Sequence, residues 1–192
     1  MRADFKVVLD ACVLANFGVC DLLLRLAEPP RLYLPVWSGR ILDEVHRTQT
    51  TALKKPWPPA LADTFRTEVQ QAFPAALTGG FEMLEPVLTN DPKDRHVLAA
   101  AIKAHATVIV TFNLRDFPAS SLQSWDIVVR HPQDFLMTLY SISPEVVVAK
   151  INEISAERGW RPEAMLARLG KSVPDFAQQV AAALEWEMPG LS

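Results

Sequence analysis

The chain has 192 residues, 49% of them hydrophobic and 21% charged, which is ordinary for a soluble globular protein. That length supports one full domain plus a smaller attachment with a real core, so no covalent staples are required. A formal net charge of −3 excludes a histone-like polyanion binder but not an enzyme whose site is itself acidic. Two cysteines, Cys12 and Cys20, exclude a disulfide framework and suit a reducing compartment.

The start, Met1-Arg2-Ala3-Asp4, lacks the apolar run and cleavage site of a signal peptide. No apolar stretch approaches the roughly 20 residues that span a bilayer. The chain is therefore expected to be cytoplasmic, with no membrane association. Lys6-Val7-Val8-Leu9-Asp10 forms a short buried strand ending in an acid, followed by helix interrupted near Gly18. A second strand is expected around Leu32-Tyr33-Leu34-Pro35. Ser38 caps a helix carrying Ile41, Leu42 and Val45, and after Pro56, Pro58 and Pro59 a further helix runs from Ala60 to about Ala76. Asp91-Pro92-Lys93-Asp94 punctuates the chain before the helical pattern Val97, Leu98, Ala101, Ile102, with Asp91 as N-cap and Pro92 at the first helical position. The β-branched run Thr107-Val108-Ile109-Val110-Thr111 and the segment Asp126-Ile127-Val128-Val129 complete the strands. Strands separated by helices predict an α/β fold with a parallel sheet. Beyond His131 the pattern turns helical, with openings at Ser143-Pro144, Arg161-Pro162 and Val173-Pro174 and a closure at Gly170. A division into 1–131 and an all-helical extension, 132–192, is expected. Leu136, Leu139, Val147, Ile151 and Ile154 give the extension its packing face, and dimerisation or partner binding is its expected role.

Several acids fall where folding alone does not require them. Asp10 ends a buried strand, at the edge of a parallel sheet where sites form. Asp94 shares a helix face with Val97, Leu98 and Ala101, and a buried carboxylate must find a cation or hydrogen bonds. Glu44 flanks the Ile41–Leu42–Val45 face while Asp43 points to solvent. Asn113 and Asp116 follow the strand that ends at Thr111, on the same edge as Asp10. Taken singly, these residues serve as a cap, a buried salt-bridge partner, a solvated glutamate and a turn. Together they form a set of oxygen donors, which suits Mg²⁺ or Mn²⁺ over zinc, and carboxylates holding such ions hydrolyse phosphodiesters. Arg40, Arg47, Arg95 and Arg115 adjoin these acids and are the candidates for gripping phosphate. His96 is expected to project away from the Asp94 face, as a surface or partner contact. His46, His105 and His131 have no companions that would make them ligands, and Trp37, Trp57 and Trp125 are expected to pack rather than stack on bases.

Three segments, Val8-Leu9-Asp10-Ala11, Asp91-Pro92-Lys93-Asp94-Arg95-His96-Val97-Leu98-Ala99-Ala100-Ala101 and Val110-Thr111-Phe112-Asn113-Leu114-Arg115-Asp116-Phe117-Pro118, resemble the PIN domain, specifically the bacterial VapC-type branch with a helical C-terminal extension. The first segment is generic; the second and third, in this order and spacing, are specific. The resemblance covers about residues 5 to 131 and implies a three-layer α/β/α fold. It also implies an endoribonuclease dependent on Mg²⁺ or Mn²⁺, often the toxin of a toxin–antitoxin pair, with RNA as substrate and an antitoxin protein as partner. Asp10, Glu44 and Asp94 match the family's first three acids. Where many members carry a fourth, this chain has Asn113, with Asp116 three residues on; the Asn113 carbonyl, a water or Asp116 completes the set. Cys12 stands where Asn, Ser or Thr is more usual, which predicts a lost hydrogen bond to Asp10 or to substrate.

Cys12 also argues against a dehalogenase-type phosphatase, which needs a second aspartate at that position. The phosphate-loop and nucleophile-elbow motifs are absent. The alternatives are a non-catalytic PIN-like module that binds RNA or protein, and a nuclease acting on DNA.

Overall fold

The computed structural model describes residues 5–187; the Met1–Asp4 start and the last five residues of the expected extension lie outside the described residues. Five strands form one parallel sheet: β1 Lys6–Leu9, β2 Leu34–Ser38, β3 Leu77–Thr78, β4 Val108–Val110 and β5 Val128–Arg130, in the order β3-β2-β1-β4-β5. Parallel neighbours cannot be joined by hairpins, so each connection runs through helix. Val7, Val8 and Leu9 of β1 and Ile109 and Val110 of β4 have no solvent exposure, consistent with central strands covered on both faces.

The strand order reverses between β1 and β4, which pair with Val8 opposite Ile109 and Leu9 opposite Val110. This register sets the two strand ends side by side and fixes where the following residues, Asp10 and Thr111, emerge. The order therefore places a topological switch point at the carboxyl edge between them.

Helices α1 (Ala11–Leu14) and α2 (Phe17–Ala27) follow β1, and the break between them falls at Ala15–Asn16 rather than at Gly18, which lies inside α2. Strand β2 sits later than the expected 32–35. Pro35 is tolerated in it because β3 reaches only Trp37 and Ser38, leaving β2 without a neighbour on that side at Pro35. Helix α3 (Gly39–Arg47) opens with Ser38 accepting from the Ile41 N–H at 3.1 Å, as expected, and continues into a π-helical turn, Thr48–Ala52. Helix α4 (Pro59–Ala72) stops before Pro74, because the residue preceding a proline resists helical backbone. The two-residue β3 was not expected from sequence.

Helix α5 (Arg95–Ala104) packs on β1, β2 and β4. The short helix α6 (Ala119–Leu122) precedes β5. Helices α7 (Pro132–Ile142), α8 (Pro144–Glu157), α9 (Pro162–Leu169) and α10 (Pro174–Ala183) follow, each with proline at its start where a missing N–H costs nothing. Leu136, Leu139, Val147, Ile151 and Ile154 are all fully buried.

The fold divides into two compact units. One comprises residues 5–16 and Tyr33–His131, and so holds the sheet; the other comprises Phe17–Leu32 and the chain from Pro132 on, in which α2 packs with α8 and α9. The fold is α/β with a C-terminal helical extension. No helix among the described residues is long and apolar enough to cross a membrane.

Candidate functional site

Asp10 is 3% exposed, and both of its carboxylate oxygens are engaged. Its Oδ1 accepts from the Ala11 N–H at 2.6 Å, capping α1. Its Oδ2 accepts from the Thr111 hydroxyl at 2.7 Å and from the Cys12 thiol at 3.2 Å. The capping role is thus real, yet it uses one position on Oδ1 and leaves that oxygen a further lone pair. The predicted loss of a hydrogen bond to Asp10 is not found, because the thiol itself donates to it. Cys12 Sγ also lies 3.3 Å from Thr111 Oγ1 and accepts from the Phe112 N–H at 3.4 Å. Burial, then the charge of Asp10, pushes the Cys12 thiol up to about 12, so it stays protonated and available as a donor.

Asp94 occupies the N-cap position of α5, which corrects the expectation that Asp91 caps this helix and that Asp94 lies within it. Asp91 instead makes its own turn, its Oδ1 accepting from the Lys93 N–H at 2.9 Å. The Asp94 carbonyl accepts from Val97 and Leu98, but its side chain makes no cap hydrogen bond. That carboxylate is half-buried and feels the charge of other acids. Burial first, then the charges of Asp10 and Asp116, raise its pKa to about 6, with His96 acting the other way and Asp91 adding to the rise. The loops carrying these acids are tied together by the Asp91 N–H donating to the Asp116 carbonyl at 3.1 Å.

Three of the expected acids, Asp10, Asp94 and Asp116, therefore share one electrostatic environment at the sheet's carboxyl edge. Asn113 does not share it in the same way: it is exposed, and its backbone N–H donates to Thr111 Oγ1 at 3.0 Å. Among the described residues, no three His, Cys, Asp or Glu side chains are positioned to hold a metal ion together.

Glu44 takes different partners. Its Oε2 is 3.4 Å from His96 Nε2, and its Oε1 is 3.8 Å from the Arg47 guanidinium. His96 is fully buried, which overturns the expectation of a surface histidine. Residues Val97 to Ala101 are fully buried too, so this stretch of the helix is covered on every side, and the helix is exposed only further on, at Lys103. The Lys93 carbonyl lies 2.9 Å from His96 Nδ1 and can only accept, so Nδ1 carries the proton and Nε2 faces Glu44. That Nε2 contact is not aligned as a hydrogen bond. Of the other arginines, Arg40 grips Glu85 at 2.8 and 3.0 Å, Arg95 donates to the Asn90 carbonyl at 3.4 Å, and Arg115 stands 3.6 Å from Asp116.

Sequence reasoning missed Thr111, which is fully buried and holds Asp10, and it misplaced His96. Asn90, 2% exposed and with both side-chain amide atoms unpaired, also went unnoticed beside Asp91. A polar residue closing an apolar β-branched run was the one available signal for Thr111.

A family model of the PIN domain matches residues 4–115, more than half of the chain. The chain belongs to the PIN-domain family. Within it, the "Putative ribonuclease VapC50" of Mycobacterium tuberculosis is 35% identical over 134 residues, spanning 68% of this chain and 76% of that protein, which makes the chain a VapC-type member. No solved structure matches the chain. The matched PIN segment contains Asp10, Glu44, Asp94 and Asn113 and ends just before Asp116.

Proposed function

We propose that this PIN-domain protein is an endoribonuclease dependent on a divalent cation, Mg²⁺ or Mn²⁺, and that it acts as the toxin of a toxin–antitoxin pair. The observation that carries the reading is the grouping of Asp10, Asp94 and Asp116, whose charges, after burial, help raise the Asp94 pKa to about 6. Acids arranged against one another in this way gain from a cation and cost stability without one. The name of the Mycobacterium tuberculosis relative supports RNA as substrate.

The donor set fits a hard divalent cation, since every group offered is a carboxylate or amide oxygen. Asp10, Glu44, Asp94 and Asp116 would hold it, with Asn113 at the rim. Such an ion lowers the pKa of an attacking water and offsets charge on the leaving oxygen. The chain's own work is positional. Thr111 and Cys12 fix the rotamer of Asp10, and His96 borders Glu44. Arg95 and Arg115, beside the acids, and Arg40 and Arg47, on α3, supply charge for backbone phosphates. In this reading the nuclease domain is 1–131, and the extension 132–192 serves an antitoxin or a second copy of the chain.

The lack of a preformed three-residue metal cluster among the described residues favours a second reading, a PIN-like module that binds RNA or protein without cutting. Incubating labelled single-stranded RNA and DNA with the protein, with Mg²⁺, with Mn²⁺ and with EDTA, separates the readings. Cleavage of RNA that EDTA abolishes and added metal restores is the expected result. Cutting of DNA alone would change the substrate, and no cutting of either would leave the binding module.

A further inference from the structure

The second unit carries a charge pattern that the carboxylate site does not use. Within residues 158–171 stand Arg158, Arg161, Arg168 and Lys171 against one acid, Glu163, in a chain whose net charge is −3. Helix α8 ends in a left-handed turn at Gly159, φ +63°, where the Gly159 N–H donates to the Ala156 carbonyl at 3.1 Å and the Trp160 N–H to the Ser155 carbonyl at 2.8 Å. This turn fixes the direction in which Trp160 leaves the helix.

Two arginines are braced on its ring. The Arg168 guanidinium lies 4.1 Å from the Trp160 ring centre, and that of Arg158 lies 5.3 Å from it and 4.8 Å from the Phe17 ring. Arg158 also pairs with Asp21, which is shared with Arg25, while Arg25 holds Glu157 as well. Arg161 sits 3.4 Å from Glu163. Arg168 and Lys171 have no carboxylate partner among the described residues. Five cations thus face three acids, and the two cations left over are on α9 and just after it.

Arg158 spends its N–H edge on Asp21, whereas Arg168, with one face covered by the indole, keeps its N–H edge for a ligand and has less side-chain freedom to lose on binding. That flat edge matches the paired oxygens of a phosphodiester. We propose that Arg168, braced on Trp160, and Lys171 form a binding site for the backbone of single-stranded RNA, additional to the carboxylate site. The choice of RNA rests on the ribonuclease reading; the excess positive charge selects a polyanion.

The test is fluorescence anisotropy of a labelled oligouridylate with the full chain, in EDTA so that nothing is cut, across a range of salt. Replacing both Arg168 and Lys171 by Ala is expected to weaken binding about tenfold and to flatten the log–log salt dependence by roughly 1.4, about 0.7 for each single-strand phosphate that is no longer neutralised. Trp160→Leu keeps the charge and an apolar side chain, so it is expected to weaken binding about threefold with the salt dependence unchanged. Lys54→Ala, an exposed lysine outside the patch, is the control and leaves both quantities alone. The proposal is overturned if the double variant binds like wild type, if Lys54→Ala causes an equal loss, or if polyglutamate binds the patch and RNA does not, which would make it a surface for an acidic protein. Failure of the nuclease reading shows separately, as absent cleavage with metal present while this metal-free binding persists.

Discussion

At Asp94 the physical argument and the functional one pull in opposite directions. With a pKa of about 6 against an ordinary 3.8, its carboxyl binds a proton more tightly folded than unfolded. Between those two values folding takes up the proton, so this group's contribution to stability falls as pH rises through that window and stays unfavourable above it. Asp94→Asn removes the charge with little change of shape. In the metal-free protein it is expected to raise the melting temperature at pH 7.5 by roughly 2–4 °C, corresponding to about 1 kcal/mol once solvent screening of a half-buried group is allowed for. The gain should vanish near pH 4, and a variant less stable than wild type at pH 7.5 would contradict the assigned environment. Thr111→Val tests the support of Asp10. It removes the hydroxyl that donates to Oδ2 and accepts from the Asn113 N–H, leaving a buried carboxylate oxygen short of a donor. A destabilisation of about 1–3 kcal/mol is expected from urea unfolding, with Thr111→Ser recovering most of it.

At the scale of elements, what could be read from the sequence depended on how long and how one-sided each segment is. The β-branched runs of β1 and β4 show where Asp10 and Asn113 leave the sheet, and Ser38 marks the start of α3 because its side chain meets the Ile41 N–H. Ser38→Ala is expected to cost about 1 kcal/mol, readable as a shift in urea midpoint with unchanged slope. A shift below a few tenths of that value would mean the cap contributes little. Strand β3 has two residues, too few for any alternation to appear, and Pro35 disguised the middle of β2. Helix α5 misled in a different way. Its residues from His96 to Ala101 are buried all round, so periodicity had no polar face to report, and the Asp91-Pro92 pair imitated a helix start three residues early. The error at His96 followed directly from that, since His96 lies in the stretch of the helix that is covered on every side.

At the scale of the whole molecule, the strand order does what no single residue can. Crossing from β3 past β2 and β1 to β4 brings the turn around Asp91–Asp94 and the loop after Thr111 to the same sheet edge as Asp10. Proximity of Asp10, Asp94 and Asp116 was therefore legible as a coincidence of acids at one sheet edge, whereas the supports from Thr111 to Asp10 and from His96 to Glu44 depend on side-chain contacts between segments about fifty to a hundred residues apart. The grouping of α2 with the C-terminal helices was equally hidden, because a helix near the start of a chain carries no mark of its distant partners. The most direct test of the central claim is the single-turnover rate of RNA cleavage by Asp94→Asn relative to wild type at saturating Mn²⁺. The carboxylate-cluster account predicts a fall of at least about a hundredfold, of the order seen when a charge-stabilising group is removed from a catalytic site, in a protein that remains fully folded. An unchanged rate would contradict it and move the chemistry elsewhere.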